Sequence, residues 1–414
     1  MEAHAASRPV LARQVMERCR ELGAVSEEAG RLTRRFATPA MARANDLVGG
    51  WMAEAGLRVR TDAAGNLVGR VEGAGPAAGT LLLGSHLDTV RDAGAFDGPL
   101  GVLVAVACVE RLRAEGTAPP FAIEVLGFSD EEGLRYGTAY LGSRAVAGSF
   151  EPALLDLVDE DGVTLGEALR AFGGAPEDLA GVARRGEPLL GYCEVHIEQG
   201  PVLEGRGVPV GVVSAIAGAT RAELDFSGRA GQAGTVPMDA RHDAACAAAE
   251  WVLAVEAAAR AEPGLVATVG RLEARPGAPN VVPGAAVASL DVRHADDAVR
   301  EATVSELRAE ARRIGDARGV EVAWREVMSA PAVAADGALT AALSAAVAQR
   351  GLPVVTLTSG AGHDAVALAE LTAIAMLFVR CAGGISHHPD ESVDEGDVAV
   401  ALDVLHAFVR GLAR

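Results

Sequence analysis

Leu81-Leu82-Leu83-Gly84-Ser85-His86-Leu87-Asp88-Thr89-Val90 runs from an uninterrupted apolar triplet into a histidine and an aspartate. A short apolar run of this kind reads as a buried strand, and a buried strand ending in a polar cluster delivers its last side chains to the carboxyl edge of a sheet. Two further segments repeat the pattern. Phe121 to Phe128 leads into Ser129-Asp130-Glu131-Glu132, the run around Tyr192 to Val195 ends in His196, and Asp97 follows His86 by eleven residues in Ala-Phe-Asp-Gly-Pro-Leu-Gly. His387 comes from Gly-Gly-Ile-Ser-His-His-Pro, far down the chain.

Outward from those strands the patterns alternate. Helices are expected over Pro9 to Leu22 and Met41 to Ala55, and the chain as far as Ala217 mixes apolar strands with alanine-rich helices, an α/β layout. From Thr220 the order changes. A strand to Gly228, a helix from Asp239 to Glu262, strands at Leu265 to Leu272 and Ala286 to His294, a helix from Asp296 to Gly315 and a strand from Val320 to Val327 give the split βαβ order of a ferredoxin-like domain. After Pro331 the first pattern returns, with a helix near Ala338 to Arg350, strands at Val354 to Leu357 and Ala373 to Val379, and a last helix over Gly396 to Leu412. The expected organisation is therefore a catalytic domain in two parts, 1–217 and 330–414, interrupted by an inserted α+β domain at 218–329. Gly73 to Gly79 lacks the Lys-Ser/Thr ending of a phosphate loop and reads as a turn between strands.

His86, Asp97, Glu132, His196 and His387 make a chemically coherent set. Two divalent ions about 3.5 to 4 Å apart need a bridging carboxylate, plus imidazole and carboxylate ligands that leave room for a shared water. The ions lower the pKa of that water, and a carboxylate that is not a ligand takes its proton; Glu131 is the candidate. Asp88, two residues after His86 on the same side of an extended chain, is placed to accept a hydrogen bond from the ring nitrogen not used for metal. Taken singly, a His-x-Asp or a Glu-Glu pair is usually a surface or capping feature, and the acids after Phe128 also suit a helix start. Their coincidence behind buried strands carries the metal reading.

At these positions the chain resembles a known family. Gly-Ser-His-Leu-Asp-Thr-Val, Asp-Glu-Glu-Gly, His-Ile-Glu-Gln-Gly-Pro-Val-Leu-Glu, Ala-Gly-Thr-Val-Pro-Met, Ser-Gly-Ala-Gly-His-Asp-Ala and Ile-Ser-His-His-Pro-Asp-Glu are similar to the amidase branch of the M20 metallopeptidase superfamily. That branch holds allantoate amidohydrolases, N-carbamoyl-L-amino acid hydrolases and beta-ureidopropionases, and the likeness runs from Ala37 to the C-terminus. It implies a two-domain M20-like architecture whose ferredoxin-like insert serves as lid and dimerisation surface. It implies that Asp97 bridges the ions, that His86 and His196 hold one and Glu132 and His387 the other, and that Glu131 acts as general base and then acid. The pattern Ser-His-x-Pro selects His387 over its neighbour His388, whose side chain points the other way in an extended segment.

The same resemblance assigns Gln199 to the ureido end of a substrate and Asn280 with Arg293 to a carboxylate, a planar guanidinium being suited to a bidentate clamp. His363 is expected to line the pocket, with Gly360 and Gly362 letting backbone N–H groups approach the substrate. Gln232 departs from the pattern. Relatives carry a histidine before Ala-Gly-Thr-x-Pro-Met that stabilises the developing oxyanion; a glutamine amide donates a hydrogen bond but no positive charge.

Composition fits a soluble enzyme. Half of the 414 residues are hydrophobic, enough to bury large cores, and a formal charge of −19 without a basic stretch argues against nucleic acid or acidic membranes as partners. Cys19, Cys108, Cys193, Cys246 and Cys381 show no Cys-x-x-Cys pairing and suit a reducing compartment, and no stretch approaches 18 apolar residues, so a cytoplasmic location is expected. The expected activity is metal-dependent hydrolysis of a ureido group on a small carboxylate, with allantoate, a product of purine catabolism, preferred because Val195 through Ala217 looks most like allantoate enzymes. N-carbamoyl-L-amino acids and beta-ureidopropionate share the ureido head and carboxylate tail; a dipeptidase is disfavoured by His196, and a non-catalytic relative by the full ligand set. The resemblance implies manganese, while the nitrogen and oxygen donors equally suit zinc, cobalt or nickel. A homodimer is implied, and closing the insert is expected to bring Arg293 and Asn280 towards the metals and exclude water.

Overall fold

The computed structural model describes residues 8–75 and 79–413, so residues 76–78 of the expected turn at Gly73 to Gly79 lie outside the described residues. Contacts divide the chain into two compact units, one built from 1–214 and 335–414 and one from 215–334.

The first unit begins with α1 (Arg8–Gly23) and α2 (Pro39–Glu54). Thr38 caps α2 by accepting the Met41 amide, which satisfies one of the donors a helix start leaves open and sets the start ahead of the expected Met41. Strands β1 (Arg58–Thr61), β2 (Leu67–Val71), β3 (Thr80–His86), β4 (Ala122–Phe128), β5 (Leu189–Ile197) and β6 (Val210–Ile216) follow, with α3 (Pro99–Ala114) between β3 and β4 and α4 (Leu141–Ala147) after β4. Every residue of β3 and β4 is buried, which is why both read as apolar runs without alternation.

The second unit carries β7 (Gly218–Ser227), α5 (Ala244–Ala261), β8 (Val266–Thr268), β9 (Leu272–Arg275), β10 (Ala285–His294), α6 (Asp297–Arg318) and β11 (Glu321–Ala330). Its sheet runs β9-β10-β7-β11 with β8 also on β10, all antiparallel, the order a split βαβ arrangement requires. The helix expected from Asp239 starts at Ala244 because Asp243 caps it, accepting the amides of Ala245 and Cys246. The single strand expected over Leu265 to Leu272 is two. The ladder breaks around Gly270, where the Ser289 hydroxyl accepts the Arg271 amide.

Beyond the insert the chain returns to the first unit with α7 (Gly337–Ala348), β12 (Thr356–Ser359), α8 (Ala365–Leu368), β13 (Ile374–Val379) and α9 (Glu395–Leu412). Strand β12 starts two residues later than the expected Val354. The first sheet then reads β1-β2-β4-β3-β5-β13-β6, with β12 and the two-residue strand Val333–Ala334 also on β6, and its centre, from β4 through β13, is parallel. Helices α1, α3 and α9 pack together on this sheet around one large apolar cluster. Parallel strands end on the same edge, so β3, β4 and β5 release His86, Ser129 and His196 side by side, where ligands of open α/β sheets bind.

A candidate two-ion centre at the carboxyl edge of the sheet

The His86 and His196 rings stack with centroids 5.8 Å apart, and both side chains are buried. Each is oriented by a backbone carbonyl: His86 Nδ1 lies 3.0 Å from the Asp88 carbonyl oxygen and His196 Nδ1 2.9 Å from that of Ile197. A carbonyl only accepts, so both rings carry their proton on Nδ1 and turn a bare Nε2 inward. Those nitrogens face Asp97 Oδ1, at 3.8 Å from His86 and 3.1 Å from His196. His196 Nε2 is buried and makes no hydrogen bond, despite its closeness to Asp97. Two lone pairs converging on a carboxylate in a buried site call for a cation between them.

Asp97 presents its other oxygen to a second group. Oδ2 is 3.1 Å from His387 Nε2, which is 3.6 Å from Glu132 Oε1. Donor atoms of His86, Asp97 and His196 all lie within 4.8 Å of one another, as do those of Asp97, Glu132 and His387. One carboxylate thus belongs to both groups, one oxygen to each, the arrangement a bridging ligand requires. His388, by contrast, turns to Asp390, accepting its amide through Nδ1 at 3.2 Å.

Asp88 takes a larger part than the one expected. The carbonyl orients His86, while the carboxylate, 3.6 Å from the same nitrogen, accepts the amides of Glu131 at 3.0 Å and Glu132 at 3.1 Å. Those two bonds fix the acidic turn, and the carboxylate also faces the His86 ring, where its negative charge favours the protonated imidazole. Glu131 is buried beside this turn, and burial pushes its carboxyl up, with Glu132, Asp364 and Asp88 adding to the effect and His86 opposing it. Burial and Asp97 push Glu132 up to about 7. Burial alone would lower His86, but Asp88, Glu131 and Asp97 raise it overall.

Gln199 donates through Nε2 to Asp97 Oδ2 at 3.1 Å and to Ser386 Oγ at 3.2 Å, so its amide is engaged with the cluster itself. Asp130, Tyr140, Gln199 and His387 all hold positive φ, between 54° and 66°. Left-handed backbone at a residue with a Cβ costs of order 1–3 kcal/mol, and such strain concentrates at functional sites. His363 packs edge-on against His196 at 4.4 Å between centroids. Ser359 Oγ donates to the Ala361 carbonyl, so the contact at 2.8 Å with His363 Nε2 must be a bond that the ring donates. At Gly362 a Cβ would collide with the Tyr140 hydroxyl, so the missing side chain also makes room for a phenol. At Gly360 a Cβ would meet nothing within 4 Å.

Gln232, Asn280 and Arg293 belong to the second unit. Gln232 pairs with Val281 across a two-residue ladder, and Asn280 accepts the Ala233 amide, so the two are neighbours on an exposed edge. Arg293 donates to both oxygens of Asp291, at 2.7 and 3.0 Å.

Sequence reasoning missed several residues that hold the cluster. Glu391 accepts the amides of Phe96 and Asp97 through Oε1, at 2.8 and 3.0 Å, and the Ser386 hydroxyl through Oε2 at 3.0 Å, tying the Asp97 turn to the His387 loop. Its place four residues after His387 was the available signal. Arg34, buried, donates to the carbonyls of Leu87, Leu22 and Val25 at 2.7 to 2.9 Å and clamps the turn after β3. Glu194, on the same face of β5 as His196, accepts the Ser85 hydroxyl at 2.8 Å and brings a further donor group together with His196 and His363.

Residues 82–411 match the family described as peptidase family M20/M25/M40. The chain belongs to this family. An M20 chain with this donor set is a metal-dependent hydrolase, and its curated relatives are amidohydrolases. It is 40% identical to allantoate deiminase 1 of Glycine max, over 98% of this chain and 90% of that protein. It is also 40% identical to an N-carbamoyl-L-amino acid amidohydrolase of Geobacillus stearothermophilus, over 97% and 98% of the two chains. The crystal structure of an amidase of the hydantoinase/carbamoylase family from Burkholderia multivorans superimposes with a TM-score of 0.92 at 33% identity, covering 97% of this chain and 98% of that one. Among the described residues of this M20 protein no helix is long and apolar enough to cross a membrane.

Proposed function

We propose that this M20 protein hydrolyses the ureido C–N bond of a small carboxylate, with allantoate the preferred substrate. The observation that carries the reading is the Asp97 carboxylate, shared oxygen by oxygen between the His86/His196 pair and the Glu132/His387 pair, with Glu131 buried beside both. Two divalent ions held there, manganese by preference, would acidify a water and polarise the ureido carbonyl. Glu131 accepts the proton of that water as its oxygen joins the carbonyl carbon. The C–N bond then breaks, Glu131 passes the proton to the departing nitrogen, and carbamate, or ammonia with carbon dioxide, leaves the site. Asp88 keeps Glu131 and Glu132 in register by holding both amides. Arg293 and Asn280 read the substrate carboxylate, Gln199 reads the ureido end, and His363 lines the pocket.

N-carbamoyl-L-amino acid hydrolysis is the second reading, favoured by the equal identity to the Geobacillus stearothermophilus protein. A homodimer working in a reducing, cytoplasmic setting completes the proposal, in keeping with five unpaired cysteines. The test is to incubate manganese-loaded protein with allantoate, N-carbamoyl-L-amino acids, beta-ureidopropionate and dipeptides, measuring ammonia and released amine. Ammonia from allantoate supports the preferred substrate, and turnover of N-carbamoyl amino acids alone moves the protein to the second reading. Amine from dipeptides alone overturns both.

A further inference from the structure

Tyr140 is not among the residues that sequence reasoning singled out, yet its placement is unusual in four independent ways. The residue sits in the left-handed region, φ +66°, at the position that caps α4, where glycine or asparagine would be at ease. Its amide bonds to the carbonyl of Glu131 at 3.3 Å, so the backbone that positions the ring is continuous with the proposed base. The ring reaches the Ser359 to His363 loop, and its hydroxyl occupies the space a Gly362 Cβ would need. Among the described residues no acceptor is hydrogen-bonded to that hydroxyl, although the ring is half-buried. A phenol held between the Glu131 turn and the loop of His363, with its O–H uncommitted, is a donor awaiting an acceptor.

We infer that Tyr140 is a catalytic residue of this protein, its hydroxyl donating a hydrogen bond to the oxygen that gains charge when the ureido carbonyl is attacked; this rests on the ureido reading above. A neutral donor suits that task among so many carboxylates, because it offers a hydrogen without adding another anion. Burial, reinforced by Glu131, Asp364 and Glu132, keeps the phenol protonated. The strained backbone also acquires a reason: an α-helical or extended Tyr140 would carry the ring away from the Glu131 carbonyl to which its own amide is tied.

Tyr140→Phe removes the O–H and leaves the ring. In manganese-loaded protein this variant should lose about 10²-fold in kcat on allantoate and on N-carbamoyl amino acids, with KM changed little, since an oxyanion donor acts in the transition state. Equal turnover by wild type and Tyr140→Phe overturns the assignment while leaving the ureido reading intact. A wild-type protein that releases no ammonia from any ureido compound overturns both. Placement of the hydroxyl has its own readout in thermal stability. Gly362→Ala should lower Tm in the wild type and lower it less in the Tyr140→Phe background, where the nearest ring atom stands 3.1 Å from the new Cβ. The same drop in both backgrounds would show that the hydroxyl is elsewhere and would sink the inference independently of any assay.

Discussion

The two halves of the proposed ion pair are built in opposite ways. His86 and His196 end buried parallel strands, are 2% exposed, and have their rings fixed by carbonyls of their own chain segment. His387 stands on a loop with left-handed backbone and a side chain 51% exposed, and its partner Glu132 follows the turn that Asp88 holds. Among the described residues Asp97 alone belongs to both groups. A ligand supported by a sheet costs little to organise when the ion arrives, whereas one on a strained loop must be ordered by the ion itself. The strand-borne position should therefore bind first and release last.

The largest effect should come from destroying what the halves share. Asp97→Ala removes the bridge, and both ions should be lost together, with activity reduced by more than about 10³-fold, beyond the roughly 10–100-fold typical of an outer partner. Metal analysis of the purified variant decides it; retention of two ions per chain would break the bridging assignment. Glu131→Gln should be nearly as damaging to turnover, by roughly 10²–10⁴-fold, yet keep both ions, because an amide cannot take a proton from water. An ion count that falls along with activity would mean Glu131 is a ligand, consistent with its closeness to His86 and Glu132, and would require a different base.

His196→Ala and His387→Ala test the asymmetry directly. The first opens a hole in a buried layer and leaves Asp97 facing it, so stability should fall by roughly 2–4 kcal/mol, within the range for core truncations. The second touches a half-exposed side chain, and stability should change by no more than about 0.5 kcal/mol while one ion is lost. Chelator titration should then show a single phase in His387→Ala and two in the wild type. Equal stability losses in both variants would erase the distinction between strand-borne and loop-borne ligands.

How much of this could be read before folding follows the same division. The strand-borne residues announce themselves because an apolar run stops at a polar one, and parallel pairing brings such stops to a common edge; His86, Glu131 and His196 could each be picked out locally. The α/β frame with an inserted antiparallel domain was equally legible, since period and order change at Thr220 and change back after Pro331. What could not be read are pairings that exist only in three dimensions. Glu391 grips the Asp97 turn across 294 residues, Glu194 reaches Ser85 across 109, and Tyr140 meets a glycine in another loop. Half of what the Asp88 carboxylate does was hidden for the same reason: local periodicity put it beside His86, while the amides that it also holds arrive after β4.

The smallest predicted effect concerns pH in protein stripped of metal. Burial lowers His86 and His196, but neighbouring carboxylates outweigh it and leave both raised; burial itself raises Glu131 and Glu132. A group whose folded pKa is raised contributes stability that is present below its unfolded value and lost as pH climbs through the folded one. For the histidines that unfolded value is 6.5, so apo protein should lose stability as pH rises above it. Asp97 and His363 run the other way: against its burial, His196 and His387 hold Asp97 well below the carboxylate range, and its contribution disappears on acidification below 3.8, while burial and His196 hold His363 well below 6.5, so its contribution is lost on acidification below that value. Bound ions need the bare nitrogens, so the loaded protein should behave oppositely and gain stability over the same interval. The gap between loaded and stripped Tm should accordingly widen by a few degrees from pH 6 to pH 8, each kcal/mol being worth roughly 2 °C in a chain of this size. In His387→Ala most of the widening should survive, because the buried strand-borne pair supplies it. A gap independent of pH would mean the buried histidines are not the groups that ions displace protons from.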